Sequence, residues 1–138
     1  MVVQLGAEKQ TAHANDRGEW KVTLPQMDAG GPYILTVSGS NTVQYDDVMI
    51  GEVWLCSGQS NMEFGLGHSS KEEIAAANYP GIRLLMVKNQ WTPQPQNDME
   101  GAWKICTPET VAADGWQGFS AVGFYFGREL HEKLGVPI

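Results

Sequence analysis

The hydrophobic and polar positions change period near Tyr45. Before it they alternate in short runs. Trp20, Val22 and Leu24 share one face of an extended segment, and Tyr33, Leu35 and Val37 share another. Val2-Val3-Gln4-Leu5 opens the chain in the same manner. Turn formers separate the runs: Asn15-Asp16-Arg17-Gly18, Asp28-Ala29-Gly30-Gly31-Pro32 and Gly39-Ser40-Asn41, where Gly and Asn accept positive φ. The pattern predicts an antiparallel meander of about four short strands, with no second sheet to cover its apolar face.

From Val48 the rhythm becomes strand, helix, strand, helix, the alternation of an α/β fold. Val48 to Cys56 is a near-continuous apolar run broken by Gly51 and Glu52, which predicts a buried strand covered on both faces. Ser70 with Glu73 three residues on reads as a capping box that opens a helix through Ala77, ended by Pro80-Gly81. Ile82 to Val87 follows as a strand. A loop rich in Pro, Gln and Trp then runs from Lys88 to about Gly118, too long for a mere connector. Its tryptophans, Trp91, Trp103 and Trp116, either peg it to the body or stack on a sugar ring.

The last helix is the clearest element. Ser120 caps it, Val122, Phe126, Leu130 and Leu134 recur at four-residue spacing, and Gly135 followed by Pro137 stops it. Gly123 and Gly127 inside it point to a close approach, expected against a sheet, because each costs about 1 kcal/mol relative to Ala. Val136-Pro137-Ile138 reads as the start of a further strand beside the earlier one.

Composition narrows the function classes. The 138 residues suit one domain or pieces of two, and the 42% apolar content is that of a packed globule. A net charge of −7 without Lys/Arg clusters argues against nucleic acid as a partner. No apolar run approaches a membrane span, and the amino terminus lacks a basic stretch followed by an apolar core. Cys56 and Cys106 read as buried free thiols rather than a disulfide framework. No ligand spacing for a metal and no phosphate-cradling glycine loop is present, so no cofactor is implied.

The candidate chemistry lies at Ser60, which follows Val53-Trp54-Leu55-Cys56-Ser57-Gly58-Gln59. An apolar strand delivering a hydroxyl onto a glycine-loosened turn is how an α/β protein presents a nucleophile. The Ser60 backbone N–H is a first oxyanion donor, and Gly58, Gln59 and Asn61 either orient substrate or fix the turn. This is not the Gly-x-Ser-x-Gly elbow, because Met62 takes the place of the second glycine. A base is the missing partner. His13 and His131 read as solvated surface residues, whereas His68 follows the flexible Gly65-Leu66-Gly67 and is near enough in sequence to reach the serine.

The block Ile50-Gly51-Glu52-Val53-Trp54-Leu55-Cys56-Ser57-Gly58-Gln59-Ser60-Asn61-Met62-Glu63 resembles the nucleophile block of the sialate O-acetylesterase family, a branch of the SGNH-type serine esterases. Ala29-Gly30-Gly31-Pro32-Tyr33, Trp103-Lys104, Thr107-Pro108-Glu109-Thr110, Phe119-Ser120-Ala121-Val122 and Phe126-Gly127-Arg128-Glu129-Leu130 agree with the family as well. The resemblance implies a three-layer α/β/α, flavodoxin-like domain preceded by a β-sandwich. Residues 1–47 would be part of the sandwich and residues 48–138 the amino-terminal part of the esterase domain. It also implies removal of O-acetyl groups from sialic acid or related acetylated sugars, with Ser60 as nucleophile, and suggests a secreted or periplasmic setting.

In that family the catalytic His with its acidic partner, and further oxyanion donors, come later than Ile138. The isolated chain is therefore expected to be nearly inert, since a serine without its base is a weak nucleophile. Its unfinished sheets are expected to be covered by self-association or by a complementary segment. Two other readings stand beside the esterase: a glycan-binding or structural module in which Ser60 is a turn residue, and an acetylxylan esterase of the same fold.

Overall fold

The computed structural model describes all of residues 1–138, which divide into two compact units, Met1–Gly51 and Glu52–Ile138. The first is a four-stranded antiparallel sheet: β1 (Val2–Leu5), β2 (Glu8–Thr11), β3 (Gly30–Ser38) and β4 (Thr42–Ile50), in the order β2-β1-β3-β4. β1 and β2 are joined by a two-residue turn, Leu5 facing Glu8, and Gly6 supplies the φ of 59° at its first position. Val3 and Leu5 are buried on one face, Val3 opposite Val37 and Leu5 opposite Leu35. Ala12 completes the buried apolar set of this unit.

The four strands agree in number with the expectation but not in membership. Trp20–Leu24 carries no regular secondary structure, and the polar run Glu8-Lys9-Gln10-Thr11 is a strand instead. Alternation of side chains did not reveal β2, because backbone pairing with β1 holds it rather than an apolar face. The Asn15 turn is present as expected. The Asn15 carboxamide oxygen accepts from the N–H groups of Arg17 and Glu19, both at 3.0 Å, and Gly18 has φ 79°.

The second unit contains α1 (Ser60–Glu63), a 3₁₀ turn at Leu66–His68, α2 (Lys71–Ala76), β5 (Tyr79–Leu84), β6 (Lys104–Cys106), α3 (Pro108–Val111) and α4 (Ala121–Leu134). Its core is Leu66, Ala77, Ile82, Leu84, Cys106, Val111, Ala121 and Phe124. Ser70 caps α2 as expected, accepting from the Glu73 N–H at 3.2 Å. The Glu73 carboxylate turns to α4 instead, accepting from the Tyr125 hydroxyl at 3.3 Å and pairing with Arg128 at 3.5 Å. Helix α2 ends at Ala76, well before Pro80-Gly81, which lies inside β5.

The long loop expected over residues 88–118 holds two elements. β6 pairs antiparallel with β5, and α3 starts at a capping box in which Thr107 and Thr110 satisfy each other's backbone N–H groups. Residues 136–138 form no regular strand, although Ile138 bonds to β5. The Ile138 N–H donates to the Gly81 carbonyl at 3.1 Å and its carbonyl accepts from the Arg83 N–H at 2.8 Å, the alternation of a parallel ladder about Ile82.

The strand expected over Val48–Cys56 is not continuous. Val48–Ile50 ends β4, and residues 52–58 carry no regular structure, with Val53 83% and Leu55 90% exposed. The Glu52 N–H donates to the Pro137 carbonyl at 2.9 Å, but no neighbouring strand continues a ladder along this run. Cys56 is accordingly exposed rather than buried, whereas Cys106 is fully buried with its thiol 3.7 Å from the Ala77 carbonyl. Burial pushes the Cys106 thiol pKa up, against a smaller opposing effect from the Tyr79 backbone. An aromatic disulfide reagent at pH 8 is therefore expected to titrate one thiol per native chain, Cys56, and two in denaturant. Two fast native equivalents would contradict this placement.

Helix α4 has the expected caps: Ser120 accepts from the Gly123 N–H at 3.2 Å, and Gly135 adopts φ 67°. Its buried face differs from the expected stripe. Ala121, Gly123, Phe124 and Gly127 are buried, while Val122, Phe126 and Leu134 are exposed. The close approach is at Gly123, where an added methyl would sit 3.3 Å from the Phe119 ring; at Gly127 it would be in ordinary contact with the Ile138 side chain at 3.6 Å. His131 is also not a solvated residue. Its Nδ1 lies 2.7 Å from the Val136 carbonyl and its ring faces Tyr79 edge-on.

Candidate active site at the Ser60 helix

Ser60 is the first residue of α1, following Gln59 at φ −130° and ψ −141°. The turn closes through the backbone: the Gln59 carbonyl accepts from the Met62 N–H at 2.8 Å and the Glu63 N–H at 3.1 Å, and the Ser60 carbonyl accepts from the Phe64 N–H at 3.0 Å. Gly58, Gln59, Ser60 and Asn61 are all exposed. A methyl on Gly58 would run into the Met62 side chain, which explains glycine at that position. The expected strand is absent, but the serine still leads a turn of helix directly after an extended segment.

Three groups belong to the serine helix or to the segment that follows and packs on it. Glu63, in the same short helix, accepts from the Asn89 carboxamide at 2.7 Å. Phe64, one turn after Ser60, stacks on His68 with ring centres 4.3 Å apart and planes at 18°. Trp116 closes the cluster edge-on, 5.7 Å from Phe64 and 5.4 Å from His68. Trp116 thus has a defined partner set, whereas Trp91, at 91% exposure, pegs nothing.

The backbone beneath this cluster is tightly tied. The N–H groups of Gly65, Leu66 and Gly67 donate to the carbonyls of Trp116, Phe119 and Gln117 at 3.2, 2.8 and 2.8 Å, and the Ala121 N–H donates back to Phe64 at 2.9 Å. Gly65 admits no side chain, since a methyl there would collide with the Gln117 carbonyl. The segment read as flexible in sequence is thereby held in place. Its own side chains pack too, with Leu66 fully buried.

None of the three histidines is bonded to Ser60. His68 is committed to the aromatic stack and His131 to Val136, and His13 is exposed in the other unit. The structure therefore brings Gly58, Gln59, Ser60 and Asn61 together on one turn without a base beside them. A shallow concavity of about 170 Å³ is lined by Val87, Lys88, Gln90, Thr92, Asp98 and Met99 among others, and not by the serine turn. No group of three His, Cys, Asp or Glu is gathered in a metal-binding arrangement, and no helix is long and apolar enough to cross a membrane.

Sequence reasoning did not single out Phe64, His68 and Trp116 as one cluster. The Ser60/Phe64/His68 spacing of four was a readable signal, but Trp116 reaches the group only through the fold.

Comparison with known proteins bears on this block directly. No family model matches the chain. It is 32% identical to the sialate O-acetylesterase of Rattus norvegicus over 95% of its own length and 26% of that protein, and 34% identical to the Homo sapiens enzyme over 86% and 25%. The crystal structure of a carbohydrate acetylesterase from Xanthomonas citri superposes with a TM-score of 0.90 at 40% identity, covering 99% of this chain and 32% of that one. The chain spans about a quarter of the length of the curated relatives it matches. The resemblance read from the Ser60 block is borne out over nearly the whole chain. The mixed α/β architecture is that of a carbohydrate acetylesterase structure.

Proposed function

We propose that this chain, a segment related to the sialate O-acetylesterases, carries the nucleophile turn of an enzyme that removes O-acetyl groups from sialic acids or related sugars. The observation that carries the reading is Ser60 itself, exposed at the head of α1 within a chain 32% identical to a sialate O-acetylesterase. The Ser60 oxygen attacks the acetyl carbonyl carbon while a histidine takes its proton. The tetrahedral intermediate expels the sugar alkoxide, which receives that proton, and leaves acetyl-Ser60. Water, deprotonated by the same histidine, then releases acetate and restores the hydroxyl.

The Ser60 N–H, free of any backbone partner, is a first donor to the oxyanion. Gln59 and Asn61, both exposed beside it, orient the sugar, and Gly58 lets the chain pass over Met62. In this reading the base is none of the three histidines of residues 1–138. None of the three histidines here contacts the serine hydroxyl.

In this reading residues 48–138 open an SGNH-type three-layer α/β/α domain, and residues 1–47 belong to a β-sandwich. The parallel bonding of Ile138 to β5 supports a parallel central sheet in that domain. Labelling with a fluorophosphonate tests the assignment. A polypeptide extended to the length of the relatives is expected to carry the adduct on Ser60, located by peptide mass spectrometry. An active enzyme labelled at another serine would overturn it.

A further inference from the structure

We infer that Phe64, His68 and Trp116 form a stacking platform for the ring of the acetylated sugar, its Phe64 one helical turn after Ser60. The ligand class rests on the esterase reading above, whereas the platform rests on its own geometry. A pyranose presents a C–H face that is apolar and about the size of an aromatic ring, with hydroxyls around its rim. It needs exposed rings for the face and polar groups beside them for the rim.

The three rings meet both needs. A residue that merely pegs a loop buries its ring, as Phe124 does at 1% exposure, but Phe64 and Trp116 keep 42% and 50% of their surface outside while touching each other and His68. Glu63, in the same helix as Ser60, and Asn89, which reaches it from the loop after β5, supply a carboxylate and a carboxamide for the rim.

The platform is also pre-organised. Trp116 sits between residues of left-handed backbone, Asp114 at φ 63° and Gln117 at φ 60°, conformations that non-glycine residues seldom adopt and that must be held from outside. Lys104 pairs with the Asp114 carboxylate, and Gly118 at φ 100° packs against the Val111 carbonyl where no side chain fits. The hydrogen bonds from Gly65 and Gly67 to Trp116 and Gln117 lock the other side. Rings fixed in this way lose little freedom when a ligand covers them.

Saturation-transfer NMR with the 138-residue chain and the methyl glycoside of an O-acetylated sialic acid tests the proposal. Irradiating aromatic protons is expected to transfer saturation to the sugar ring protons, and Trp116→Ala to weaken binding about tenfold. Trp91→Ala, at a ring without partners, is expected to leave binding unchanged. If near-ultraviolet circular dichroism shows that Trp116→Ala disturbs the fold, His68→Ala, at an exposed position, serves instead with an expected loss of about threefold.

No transfer with the wild-type chain, or equal transfer after the ring substitutions in a folded protein, would overturn the platform. Fluorophosphonate labelling at Ser60 without such binding would leave the esterase reading standing alone. Binding without labelling would leave the platform standing and remove the esterase.

Discussion

Ser60→Ala, made in a polypeptide extended to the length of the relatives, is expected to lower kcat for acetyl-ester hydrolysis on the order of 10⁵-fold with little change in KM. The size follows from the proposed chemistry. Removing Oγ removes the atom that forms the acyl intermediate, and what remains is whatever the oxyanion donors and substrate binding supply alone. Substrate affinity should survive, since Gln59, Asn61 and the aromatic cluster are untouched. The 138-residue chain itself is expected to hydrolyse p-nitrophenyl acetate no faster than buffer, because no imidazole contacts the serine hydroxyl. Two results would refute the assignment: normal turnover by the extended Ser60→Ala protein, or turnover by the short chain that His68→Ala abolishes.

What the sequence made legible was whatever local chemistry decides. The caps at Ser70, Ser120 and Gly135 act within one turn of their own helices, and each is where the residue types placed it. The Asn15 and Gly39 turns are local in the same sense. Elements set by distant partners were harder to read. β2 is polar and exists because β1 lies beside it, and β6 is a three-residue strand whose register comes from β5. The Val53–Cys56 run is the reverse case. Its composition is that of a buried strand, yet backbone bonding on both sides is needed to make it one.

The site divides along the same line. Ser60, Gly58, Gln59 and Asn61 are consecutive or nearly so, so their grouping could be read directly, and relatives at 32–34% identity bear out the resemblance of the chain as a whole. The Trp116 contact could not, because it joins residues more than forty positions apart through a backbone turn with two left-handed non-glycine residues. Gln117 carries little local signal for that conformation, whereas Asp114 is a residue type that adopts it more readily. Gly115 at φ 52° and Gly118 at φ 100° belong to the same turn.

Helix α4 provides the sharpest energetic test, because two faces compete for the core. Four-residue spacing favours Val122, Phe126, Leu130 and Leu134, whereas the fold buries Ala121, Gly123, Phe124 and Gly127. The small residues contribute proximity rather than apolar bulk. They let α4 come close enough for the Phe124 ring to reach the core cluster, edge-on to Tyr79 at 6.1 Å, with the Arg128 guanidinium 5.6 Å above it. Phe124→Ala is therefore expected to cost about 3–5 kcal/mol, a cavity plus lost transfer energy, and Phe126→Ala about 1 kcal/mol at its half-exposed edge contact with Trp54. Small domains have only about 5–15 kcal/mol in all, so the first variant should be largely unfolded in mild denaturant while the second melts nearly as wild type. Urea titrations followed by far-ultraviolet circular dichroism would measure both. A larger loss for Phe126→Ala than for Phe124→Ala would mean that the apolar stripe, and not the glycine face, packs on the core.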